Sequence, residues 1–105
     1  MKLYHATTVE NLASIQRYGL RVDCADPEAK IRAIWLHSGA KSSWAVVHTM
    51  RKHGAALDGV IVLEIAVQRA FLTRFKAGLW YSKRDIPAER ITSIIPAAAY
   101  GASAQ

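Results

Sequence analysis

Tyr4-His5-Ala6-Thr7 places an imidazole and a hydroxyl where an apolar strand runs into an amphipathic helix that stops at Gly19-Leu20. A strand end beside a helix N-terminus presents unpaired backbone N–H groups and the positive end of the helix dipole, which together favour a phosphate or an amide-bearing ligand. His5 and Thr7 are therefore candidates for ligand contact. The structural alternative for the same pair is that Thr7 caps the helix and His5 packs at the strand end. Glu64 is the next candidate, being the only acid inside the apolar run Val60-Ile61-Val62-Leu63-Glu64-Ile65. A carboxylate buried in such a strand is costly unless paired, so a partner or an open cleft is expected beside it. A surface-facing strand acid is the alternative.

Metal chemistry has less to draw on. Cys24 is the single cysteine, which excludes an internal disulfide framework and a cysteine-rich metal site. The histidines are His5, His37, His48 and His53, and the last two, five positions apart, turn away from each other on a helix. The i, i+4 geometry of a helical zinc site is missing, and no metal is expected.

The elements that must hold these side chains are legible as a mixed pattern without repeats or low-complexity linkers. Residues 2–5 read as a strand and 8–18 as a helix, with Thr7 and Glu10 spaced as a capping box. Val9, Leu12, Ala13, Ile15 and Tyr18 supply its apolar face, and Gly19 a left-handed close. Residues 21–30 read as a polar loop and 32–37 as a short strand. The next segment is a helix reaching His53, with Ser38 or Ser42 as cap, Ala45, Val46 and Met50 inward, Trp44 packed against it and Gly54 ending it. Residues 60–67, nearly all apolar, fit a strand buried on both faces. Residues 68–75 read as a turn or loop, and 78–82 and 90–95 as strands either side of a turn at Pro87. The domain spans 1–95, and 96–105, rich in Ala, Gly and Ser, reads as a flexible tail.

Tyr4-His5-Ala6-Thr7, followed by Ile15 and Gly19-Leu20, resembles the opening of the ADP-ribosyltransferase-like lobe of RNA 2′-phosphotransferases and of DNA-targeting ADP-ribosyltransferase toxins. Ala6 stands where those families carry glycine. The similarity continues through Ile34-Trp35-Leu36-His37-Ser38, the helical segment from Ala40 to His53 and the strand from Val60. It ends with Gly78-Leu79-Trp80-Tyr81 and Ile86-Pro87-Ala88-Glu89-Arg90-Ile91 as a closing strand pair, covering residues 2–95. The resemblance implies an α+β fold: one compact domain with a split central β-sheet and two main helices. It implies NAD as substrate, held by Tyr4, His5 and Thr7, with Arg32 as the nearest match to a phosphate-binding arginine. Trp35, Trp80 and Tyr81 would supply aromatic faces for nicotinamide or adenine. ADP-ribosyltransferases of this kind use a late glutamate, and the corresponding stretch here is Leu79-Trp80-Tyr81. His5 and Glu64 are thus the catalytic candidates, and the alternative is a catalytically silent nucleotide-, nucleic-acid- or protein-binding module. The separate N-terminal lobe of the phosphotransferases has no counterpart, so a complete 2′-phosphotransferase is not expected.

Charge and composition agree with a phosphate-binding role. Fourteen Lys and Arg against eight Asp and Glu give a net charge of +6 over 105 residues, a field that favours a dinucleotide or a polynucleotide acceptor. A 51% hydrophobic chain of this length buries one core. With neither an eighteen-residue apolar run nor a secretory h-region, the sequence reads as a cytoplasmic protein off the membrane.

Overall fold

The computed structural model describes residues 1–101. Its elements are β1 (Lys2–Thr8), α1 (Leu12–Tyr18), β2 (Ile34–His37), α2 (Ser42–His53), β3 (Val60–Ala66), β4 (Thr73–Lys76), β5 (Leu79–Ser82), β6 (Ile91–Pro96) and the turn-length α3 (Ala98–Gly101). The six strands form one sheet in the order β4-β5-β2-β1-β3-β6, every neighbour antiparallel. The fold is α+β, as expected. No helix among the described residues is long and apolar enough to cross a membrane.

β3, an interior strand between β1 and β6, packs apolar side chains on both faces. Ile61, Leu63 and Ile65 join Leu3, Ile15 and Ile34 in the larger core, while Val60 and Val62 pack with Val46 and Ala97 on the other side. α2 covers that second side through Ser42, Ala45, Val46 and Thr49, an inward stripe at helical spacing. Gly54, at φ 61° and ψ 31°, closes α2 in the left-handed conformation.

The sheet is unevenly stitched. β1 and β3 pair at every position from Lys2↔Ala66 to Thr8↔Val60, whereas β1 and β2 share only the pair Tyr4↔His37. Across this seam the strands still form one sheet, where a split sheet was expected.

Several local expectations are overturned by tertiary pairing. β1 runs on through Thr7 and Thr8, which pair with Ile61 and Val60, so Thr7 lies inside a ladder and caps nothing. No capping box forms. Asn11 instead donates to the hydroxyls of Thr7 at 3.1 Å and Thr8 at 3.2 Å, residues 9–11 make a 3₁₀ turn, and α1 begins only at Leu12. Val9 and Tyr18 are exposed, leaving Leu12 and Ile15 as the inward residues. Neither Ser38 nor Ser42 caps α2 through its side chain, since a 3₁₀ turn at 39–41 intervenes. Trp44, expected to pack, is 50% exposed.

At the far edge, Thr73–Lys76 pairs with β5 where a turn or loop was expected. β5 and β6 are not a strand pair: β5 pairs with β2 and β6 with β3, on opposite sides of the seam. The stretch expected to be a tail starts inside β6, where Pro96 pairs with Ile61. Ala97 is buried and 98–101 form a helical turn, while 102–105 lie outside the described residues.

Candidate functional site

Where β1 and β2 part, a cleft of about 780 Å³ opens, within the range of small-molecule sites. One wall carries His5 and Thr7 from β1, another Trp35 from β2, and a third Trp44, His48 and Lys52 from α2. The loop between α1 and β2 closes it with Asp26, the only acid lining the cleft among the described residues.

His5 lies at the seam. Its Nδ1 is 2.7 Å from the Trp35 carbonyl oxygen, which only accepts, so Nδ1 carries the proton. Burial pulls the imidazole pKa below its ordinary value, and the nearby Lys52 charge acts in the same direction, against the opposing pull of the Trp35 bond. His5 is therefore neutral near pH 7 and keeps Nε2 as an acceptor. His37 is buried beside it, with Nε2 3.3 Å from the Ser42 hydroxyl and the Tyr4 ring stacked at 6.1 Å. Burial first, and the neighbouring His5 second, lower its pKa to about 4. Both seam histidines are neutral hydrogen-bonding groups at neutral pH.

The other expected site residues divide. Trp35 lines the cleft and is held by Phe75, edge-on at 5.1 Å, and Tyr81, tilted at 5.2 Å. Tyr81 stands behind Trp35 as its support, and Trp80 packs on the larger core; neither lines the cleft. Arg32 is exposed, donates to the Asp23 carbonyl at 2.9 Å and lies outside the lining. Tyr4 also lies outside, with its hydroxyl 3.4 Å from Glu64 Oε2.

Glu64 is not in the cleft. It pairs across the ladder with Tyr4, while His5 pairs with Leu63, so strand alternation sends Glu64 and His5 to opposite faces of the sheet. A bulge between Glu64 and Ile65 brings Thr92 onto the carboxylate, its hydroxyl donating to Oε1 at 2.9 Å, with Lys2 Nζ at 3.5 Å. Thr92 foremost, then Lys2 and Tyr4, hold the carboxyl below the usual glutamate range, against partial desolvation. This is the partner that an acid in an apolar strand requires.

α2 brings cleft residues that sequence reasoning left out. Trp44, His48 and Lys52 follow one another at i, i+4 and i+8, and the first two rings stack at 5.3 Å and 14°. Lys52 Nζ reaches Asp26 Oδ2 at 3.7 Å and ties the closing loop to the helix. The spacing was visible, but nothing in it said that this polar face looks onto a cleft instead of solvent. Among the described residues, no group of three or more His, Cys, Asp or Glu is placed to hold a metal ion. Comparison with known proteins found no family model that matches the chain and no curated protein similar to it in sequence.

Proposed function

We propose that the cleft binds NAD as a substrate and that the domain transfers ADP-ribose to a nucleic-acid or protein acceptor. The observation that carries this reading is the presence of His5 and Thr7 of the Tyr-His-Ala-Thr motif together in the cleft at the sheet seam. In this reading the neutral His5 accepts through Nε2 from a ribose hydroxyl or the carboxamide, and Thr7 adds a second polar contact. Trp35 and the Trp44–His48 stack offer faces for the two heterocycles, and Lys52 a charge for the pyrophosphate. During transfer the N-glycosidic bond breaks, nicotinamide leaves with the bonding pair, and the acceptor attacks the anomeric carbon and gives up its proton. Such a step rests on orientation and electrostatic stabilisation more than on a strong base. A cytoplasmic location, where NAD is at hand, belongs to the same proposal.

The position of Glu64 favours a second reading, a silent nucleotide-, nucleic-acid- or protein-binding module of the same fold. Calorimetric titration of NAD into the wild type, His5→Ala and Thr7→Val tests the first element common to both. Affinity should fall severalfold in each variant, and unchanged affinity in both removes NAD from the cleft. Nicotinamide release with nucleic-acid and protein acceptors present then separates the two. Tight binding without release over hours selects the module.

A further inference from the structure

A second concavity, sharing no lining residue with the cleft, sits where the end of β3 meets the segment after β5. It is open to solvent on one side and has a volume of about 210 Å³. Val67, Leu72 and Ile86, at the margin of the larger core, make it apolar inside. Its walls are fixed by hydrogen bonds: Ile86 and Leu20 exchange two between their backbones, and the Ser82 side-chain hydroxyl donates to the Arg84 carbonyl and accepts from the Arg84 N–H.

The rim is cationic. Arg84 and Arg90 line the pocket, both are exposed, and neither takes part in an ion pair among the described residues. The one acid at the rim, Asp85, has Oδ1 committed to the Val22 N–H at 2.8 Å. The Arg84 guanidinium lies 4.5 Å above the ring of Phe71, a side chain half in solvent that lines the same pocket. That stacking presets one guanidinium fork over an apolar opening, so less ordering is left for a ligand to bring about.

We propose that this pocket binds a small carboxylic acid with an apolar body of one ring or one branched alkyl group. Size sets the body: an apolar cavity of about 150 Å³ takes a benzene ring, and the space here exceeds that by little more than a carboxylate. It is too small for a nucleotide or a drug-sized ligand. Charge sets the head, since the planar forks of two arginines match a carboxylate in geometry as well as in sign.

Phenylacetate and the neutral phenylacetamide, titrated separately and followed by amide NMR shifts, test the proposal. Phenylacetate should shift residues 66–72 and 82–90 saturably, and the amide should bind at least about fivefold more weakly. The Arg84→Gln/Arg90→Gln double variant, altered only at exposed positions, should keep its spectrum elsewhere and bind both probes alike. Equal affinity of the two probes for the wild type, an undiminished preference in the double variant, or shifts confined to the cleft around His5 and Lys52 would each overturn it.

Discussion

At the scale of single residues, chemistry depends on which face of the sheet a side chain takes. Glu64 and His5 sit on neighbouring strands, yet the register separates them by the thickness of the sheet. Glu64→Gln should therefore leave both NAD binding and any nicotinamide release at wild-type levels, with Thr92 and Tyr4 still bonded to the amide. Loss of turnover with binding intact would put the carboxylate back in the reaction. Lys52 is the cation to remove instead. Its only ion pair among the described residues, with Asp26, is long and exposed, so little holds it back from a phosphate. Lys52→Ala should weaken NAD binding by about 1 kcal/mol, roughly fivefold, whereas Asp26→Asn should not weaken it. Calorimetry on the two variants reads both outcomes, and the reverse ranking would place the pyrophosphate elsewhere.

At the scale of elements, glycines at helix ends do different jobs. Gly19 follows α1 at φ 78° and ψ −169°, and a Cβ there would strike the Ile86 carbonyl oxygen and come within 2.9 Å of the Ala88 nitrogen. Those atoms belong to the segment locked to Leu20 by two backbone bonds and cannot move aside cheaply. Gly54 has positive φ too, but open space where a Cβ would go. Gly19→Ala should then cost about 2 kcal/mol or more, through strain and collision together, and Gly54→Ala only about 1 kcal/mol. Thermal or urea unfolding of the two variants gives the comparison, and equal losses would mean that the 19/86 contact yields easily.

At the scale of the whole molecule, the seam makes stability depend on pH. Its folded pKa of about 4 puts His37 below the ordinary histidine value of 6.5, so on acidification the unfolded chain takes up the proton first. The stabilisation from keeping His37 neutral and buried is full above pH 6.5 and is lost progressively as pH falls toward 4. His37 alone should account for a loss of about 2 to 3 kcal/mol between pH 7 and 4.5. His5, shifted in the same direction, adds to it. Urea unfolding at the two pH values measures the sum, and His37→Gln should flatten the slope by that amount. A variant as acid-sensitive as the wild type would assign the effect to other groups.

What the sequence determined by itself is whatever depends on local pattern. The twofold-apolar run from Val60, the inward stripe of α2 with its Gly54 stop, and the α+β class follow from side-chain periodicity and backbone preference, which act over a few residues. That His5 lies on a strand was equally legible, but not that this strand runs on to Thr8 and leaves His5 at its middle. Tertiary structure decided the rest. It drew Thr7 from a cap into a ladder, because seven consecutive pairs with β3 outweigh one hydroxyl-to-backbone bond. It placed Glu64 outside the cleft, under Thr92, and it split the supposed closing pair across a seam that two strands share at one position. It also turned the Trp44, His48 and Lys52 face of α2 onto that seam. Strand order and register come from which apolar faces bury one another at long range, so a side chain's neighbours across a cleft follow from that packing and not from its place in the chain.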